Sequence, residues 1–190
     1  MKYFIDTEFI EYPCTIDLIS IGIQCEDGRN FYAISTDFDS SKASDWVKEN
    51  VISKLPSPEM CSLWMPKVQI PTEILNFIGN DIPEFWGYYA DYDWVVFCWL
   101  FGKMIDLPKN FPMYCKDLKQ LADDVGKPRF PEPKGEHDAL VDAIWNEKFY
   151  RYLTNEYALT EDDRDIINEV KKQAEEIDKL VKKYEMSVLI

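Results

Sequence analysis

The sequence predicts an α/β fold: a mixed sheet in which an antiparallel three-strand meander adjoins parallel strands, with helices flanking the sheet. Two observations predict it. β-Branched runs broken by a turn signal fill residues 2–35, and strand-then-helix units occupy residues 85–153.

Taken in order, Tyr3-Phe4-Ile5 opens a strand over about residues 2–9, and Thr15 to Cys25 is rich in β-branched residues and forms the second. The turn signal Glu26-Asp27-Gly28-Arg29-Asn30 returns the chain through Phe31 to Ser35 as the third strand. Ser44 is positioned to cap a helix reaching about Leu55, and Thr72 to cap another through Ile78. Phe85 to Ala90 reads as a buried strand feeding a helix near residues 93–102. Met113-Tyr114-Cys115 reads as a short strand before a helix from about Asp117 to Val125. The Pro-rich stretch Gly126 to Gly135 is a loop, and a long helix over about residues 138–153 follows it.

From Glu161 onward the pattern changes. Ile167, Val170, Ala174, Ile177, Val181, Tyr184 and Val188 recur in alternating steps of three and four, an a/d seam about three heptads long. Such a seam admits two readings, a helix laid across the domain's own surface or a coiled coil that makes a homodimer. The expected organisation is a main domain over residues 1–153 and a charged helical extension over residues 154–190.

A formal net charge of −14 argues against a protein that coats nucleic acid by electrostatics alone. It leaves room for an enzyme whose acids hold divalent cations, because the cations let a phosphate approach. The longest uncharged apolar run, Trp94 to Gly102, is far too short to span a bilayer, so no membrane association is expected. Asp6 and Glu8 interrupt the only apolar stretch near the N-terminus, so no signal peptide is expected. Cys14, Cys25, Cys61, Cys98 and Cys115 are odd in number and lie among apolar neighbours. They read as free core thiols in a reducing cytoplasm.

Three places carry acids where a packed fold would avoid them. Asp6 and Glu8 lie two apart on the first strand and therefore share one face, while Thr7 points to the other. Burying such a pair without a positive partner is costly. Asp91 and Asp93 stand where the strand at residue 85 hands over to an apolar helix. His137, the only histidine, lies five residues before Asp142 at the start of the last long helix. The second and third places each have an ordinary reading alone, with Asp91 or Asp93 as a helix cap, Asp138 as another cap and Asp142 on a solvated face, whereas paired acids on one strand face seldom have a purely structural role.

As a set, Asp-x-Glu on a first strand, an aromatic-Asp junction and His-x4-Asp on a late helix resemble the DEDDh pattern of the DnaQ-like 3′–5′ exonucleases. That resemblance implies a ribonuclease H-like fold over about residues 1–153. Within that superfamily, Tyr3 to Glu11, Asp17 to Gly22, Tyr92-Asp93 and His137 to Ala143 are similar to the RNase AS type of bacterial exoribonuclease, which is associated with adenylate-rich 3′ ends. The resemblance implies that Asp6, Glu8, Asp93 and Asp142 hold two Mg2+ (or Mn2+) ions and that His137 is the general base. It prefers Asp93 to Asp91 because the ligand follows an aromatic residue, here Tyr92. It gives Asp6 the bridging position, Glu8 and Asp142 one ion's shell, and Asp93 a contribution mainly through water.

The chemistry fits those residue types. Carboxylates suit hard cations that prefer oxygen ligands. Two ions roughly 3.5–4 Å apart can hold the attacking and leaving oxygens of an in-line displacement. An imidazole is neutral and able to accept a proton near neutral pH. Two departures stand out: Phe9 and Ile10 follow Glu8 where many relatives have Thr-Thr-Gly, and Tyr88-Tyr89-Ala90 replaces a common His-Asn-Ala.

The substrate implied is a single-stranded RNA 3′ end, with nucleoside 5′-monophosphates as products and adenylate favoured. The same acids would serve a 3′–5′ exodeoxyribonuclease, and a catalytically silent nucleic-acid-binding or assembly module is the reading from another class. Phe9 and Ile10 are candidates to wedge against the terminal base, or else belong to the core. Lys127, Arg129 and Lys134 are candidates to meet phosphates, or else solvated loop residues.

Overall fold

In a computed structural model the described residues are 1–154, apart from 61, 127–129, 132, 134 and 136. The seam beyond residue 160, the three loop cations Lys127, Arg129 and Lys134, and Cys61 therefore lie outside the described residues.

The meander forms as the sequence predicts: β1 (Lys2–Tyr12) pairs antiparallel with β2 (Thr15–Cys25), and β2 with β3 (Asn30–Ser35). Parallel strands complete the sheet: β4 (Trp64–Met65), β5 (Glu84–Gly87) and β6 (Lys116–Asp117). The order across the sheet is β4-β3-β2-β1-β5-β6, with β3–β4, β1–β5 and β5–β6 parallel. The helices are α1 (Asp45–Asn50), α2 (Ile70–Ile78), α3 (Asp91–Leu100), α4 (Leu118–Asp124) and α5 (Ala139–Leu153). This mixed six-strand sheet with flanking helices is consistent with a ribonuclease H-like fold.

Alternation along β1 assigns the layers. Tyr3 and Ile5 enter a core with Ile21, Ile23 and Phe85, covered by Ile70, Ile74 and Ile78 of α2 and Val96 and Phe97 of α3. Phe4 faces the other way, where Trp86 meets Leu118 of α4 and Phe149, Tyr150 and Leu153 of α5. Each large apolar side chain so enclosed contributes about 1.5–3 kcal/mol relative to leaving it exposed.

β1 and β2 change register beyond Glu8, which opposes Ser20, whereas Phe9 opposes Leu18. Ile19 is the extra residue. It drops into a third cluster with Ile10, Ala43 and Val51, so the bulge bends the end of the hairpin toward α1.

Several boundaries differ from the sequence reading. β1 runs to Tyr12 rather than residue 9 because Pro13 and Cys14 make a tight turn, with Cys14 at φ 68. Cys14 is accordingly exposed and not a core thiol, while Cys25 and Cys98 are buried. Ser44 caps α1 by accepting from Val47 N, but the helix stops at Asn50 and a 3-10 turn follows over Ile52–Lys54. α2 starts at Ile70 instead of after Thr72, since Pro71 is tolerated in a helix's first turn, where its missing N–H has no partner to lose. The strand expected at Met113 to Cys115 falls at Lys116–Asp117, where pairing with Trp86 and Gly87 holds it. Trp64–Met65 was not anticipated as a strand. No helix among the described residues is long and apolar enough to cross a membrane.

Candidate active site

The site begins where two parallel strands part. β5 pairs with β1 only as far as Phe4↔Trp86. The next β1 groups facing β5, Ile5 C=O and Thr7 N–H, therefore need other partners. Asn146 of α5, 1 % exposed, donates through Nδ2 to Ile5 O at 3.0 Å. Asp93 of α3 accepts on Oδ1 from Thr7 N at 2.8 Å and from Thr7 Oγ1 at 2.6 Å. The cleft between β1 and β5 is thus closed by polar side chains from the helices on each face.

Asp93 sits in the first turn of α3 but does not cap it; the N-cap is Ala90, whose N–H donates to Asp117 Oδ2 at 2.8 Å. Its carboxylate turns inward instead and is buried. The Thr7 that separates Asp6 from Glu8 is what holds it. That role escaped the sequence reading, and its signal was there: a threonine between two acids in a strand supplies both a side-chain and a main-chain donor.

α5 brings the fourth acid. Gly22 of β2 lets this helix begin against the sheet: a Cβ there would lie 2.2 Å from Ala139 O. Asp138 caps the helix, accepting from Leu140 N at 3.0 Å and Val141 N at 3.1 Å. One turn on, Asp142 faces the acids of β1 and not a solvated surface, and carboxylate oxygens of Asp6, Glu8 and Asp142 lie within 4.8 Å of one another. Asp93 stands beside this trio as the neighbouring charge that most perturbs Asp6.

Such crowding shows in the proton affinities. Burial, then the charges of Asp93, Glu8 and Asp142, hold the Asp6 carboxyl well above the usual carboxylate range. Glu8 is pushed up to about 8 by burial and by Asp142 and Asp93, with Lys54 acting the other way. Burial raises Asp93 to about 6 against the lowering effect of its Thr7 hydrogen bonds. Carboxylates that converge yet repel form a donor set that suits hard divalent metal ions.

His137 precedes α5 in the left-handed region at φ 68, and its N–H donates to Asp142 Oδ2 at 2.9 Å. Its ring meets Trp46 of α1 edge-on, centroids 4.8 Å apart. Asp6, Glu8, Asp93, His137 and Asp142 all line one cavity of about 570 Å³. α1 and the residues that flank it form another wall: Lys42 before the helix, Trp46 (51 % exposed) and Val47 within it, and Val51 just after it. The sequence reading missed that wall, because a short helix with one exposed Trp carries no distinctive spacing. Phe9 lines the cavity and packs edge-on to Tyr92 at 5.9 Å. Ile10 also lines the cavity, but it is 1 % exposed and packs with Ile19, Ala43 and Val51.

Residues 1–154 match the model of a domain family described as the 3′–5′ exoribonuclease Rv2179c-like domain. The chain is 45 % identical over 159 residues to the 3′–5′ exoribonuclease Rv2179c of Mycobacterium tuberculosis strain H37Rv, covering 82 % of this chain and 94 % of that one. The 3′–5′ exoribonuclease MT2234.1 of Mycobacterium tuberculosis strain CDC 1551 is similar to the same extent.

Proposed function

The chain belongs to the Rv2179c-like 3′–5′ exoribonuclease family, and on that premise we propose that it hydrolyses single-stranded RNA from its 3′ end by DEDDh-type chemistry, releasing nucleoside 5′-monophosphates. The observation that carries this reading is the convergence of Asp6, Glu8 and Asp142, drawn from the first strand and the last described helix, within 4.8 Å. No packing requirement explains three acids so placed; a cationic cofactor does.

In this reading Asp6, Glu8, Asp93 and Asp142 would hold two Mg2+ or Mn2+ ions. Bound there, the ions would neutralise the acids and stabilise the charge that builds on the attacking and leaving oxygens. His137 accepts the proton of the attacking water, the new P–O bond forms, and the bond from phosphorus to the 3′-oxygen of the penultimate nucleotide breaks, that oxygen taking a proton from solvent to leave as the new 3′-hydroxyl. Phe9 and Trp46 offer aromatic surfaces to the terminal base inside the cavity, and Lys42 reaches the same space with a positive charge. The likeness to RNase AS makes adenylate-rich 3′ ends the substrate to try first.

The test uses matched RNA and DNA oligonucleotides labelled at the 5′ end, with magnesium or with chelator. A ladder that shortens from the 3′ end on RNA, only with metal, is the expected result. Shortening of DNA in preference to RNA makes the protein an exodeoxyribonuclease. Degradation that persists in chelator, or none with either metal, overturns the reading.

A further inference from the structure

The handover Tyr88-Tyr89-Ala90 carries a feature that the hydrolytic centre leaves unused. Tyr89 has φ 55, a left-handed backbone that a bulky side chain adopts only where its surroundings impose it. The residue is nevertheless 62 % exposed. Tyr88 supports it edge-on, centroids 4.7 Å apart, and Tyr88 is itself held by Trp145 at 5.2 Å and Phe149 at 5.7 Å, both on α5. Lys119 Nζ lies 6.0 Å from the Tyr89 ring centroid while pairing with Asp123. The result is a rigid aromatic face turned to solvent.

Its place in the fold is on the α5 side of the sheet, the side that carries the acids. β1 and β5 pair at Phe4↔Trp86, two side chains in one cluster on the α5 side of the sheet. Asp6, two residues on from Phe4, shares its face of β1, and Tyr88, the residue after β5, packs against the same cluster, so Tyr88 and the Tyr89 ring that it supports lie on the side of the sheet that Asp6 faces. Tyr89 does not line the cavity that holds Phe9, Trp46 and His137.

We infer that Tyr89 is a stacking platform for the base of the nucleotide immediately 5′ of the scissile phosphate. The inference rests on the exonuclease reading above and extends it to a second nucleotide. Only the terminal nucleotide needs an enclosing space, which the cavity of about 570 Å³ supplies. The rest of the strand must leave the acids across an open surface. Aromatic faces hold single strands without regard to sequence, since every base has a π face to stack.

Hydrolysis of the terminal bond is measured with magnesium on two RNA strands, one intact and one whose penultimate ribose lacks its base. Wild type is compared with Tyr89→Phe, Tyr89→Ala and Tyr89→Gly. On the intact strand the Ala and Gly variants should lose about 5- to 150-fold in kcat/KM, the range for losing one base–aromatic stack. Phe should restore most of the rate. On the abasic strand the difference between wild type and the Ala and Gly variants should vanish. Glycine suits the left-handed backbone, so a loss shared by Ala and Gly does not come from strain at this residue. Equal losses on both strands, or no loss on either, overturn the inference and leave the exonuclease intact. A wild type inert on the intact strand overturns both.

Discussion

The backbone N–H of His137 donates to Oδ2 of Asp142 at 2.9 Å, so the only imidazole in the chain is tied to one of the acids beside it. The tie spans five residues and holds His137 at φ 68 ahead of a helix that begins at Ala139. Charge and tether are separable at Asp142. Asparagine keeps an acceptor oxygen for the N–H but loses the charge, whereas alanine loses both. A single histidine also gives a single imidazole signal in an NMR spectrum. We expect Asp142→Asn to leave that signal near its wild-type position and Asp142→Ala to shift or broaden it. Both variants should lose magnesium-dependent hydrolysis. A signal unmoved in the alanine variant would show that the loop stands without the tether.

Removing the imidazole tests a different role. His137→Ala should lower the rate about 10²–10⁴-fold, the range for general-base catalysis. It leaves the carboxylates in place, so titration with manganese, followed by calorimetry, should give nearly the wild-type affinity. Loss of metal binding would move His137 from base to ligand.

The proton affinities predict how the metal-free protein responds to pH. Glu8 rises from an ordinary 4.5 to about 8, and Asp93 from 3.8 to about 6. Between about pH 4 and 8 the native state therefore keeps protons that the unfolded chain has released. Stability from these groups is full below that window and is lost as pH rises through it. Asp27, Asp39, Asp81 and Glu84 have lowered values, so they are ionised in both states above about pH 5 and add no slope there. Melting temperature in chelator should thus fall from pH 5 to pH 8. Magnesium should raise it more at pH 8 than at pH 5, because binding requires the deprotonated acids and stabilises the state that holds the ion. A flat profile in chelator would mean that the acids are not crowded as described.

The site's legibility in the sequence follows from what fixes each residue. Strand period alone puts Asp6 and Glu8 on one face, whereas Asp93, His137 and Asp142 stood out through the resemblance to the DEDDh pattern, since each has an ordinary reading by itself. Thr7, Asn146 and Trp46 could not be found either way. Thr7 and Asn146 answer to backbone groups left over when β5 parts from β1, and that parting is a tertiary event. Trp46 reaches the cavity because the bulge at Ile19 bends the hairpin toward α1, which no local pattern announces. The same reasoning explains the misplaced strand at Met113 to Cys115. Apolar character marked the segment, but pairing with β5 chose Lys116 and Asp117.

Gly22 tests whether the approach of α5 to the sheet places the site. An added Cβ would fall 2.2 Å from Ala139 O and 2.4 Å from Leu140 N, both backbone atoms that no rotamer change can move. Gly22→Ala must therefore push the first turn of α5 away from β2. Overpacking of this kind costs about 1–3 kcal/mol, which in a domain of this size lowers Tm by roughly 2–12 °C. The displaced turn carries Asp138, Asp142 and the tether to His137, so kcat should fall by more than the loss of folded protein explains. Trimming Ala139 to glycine should not rescue the variant, since the clash is with the carbonyl rather than the methyl. Wild-type melting and wild-type turnover in Gly22→Ala would show that the last helix is placed by other contacts.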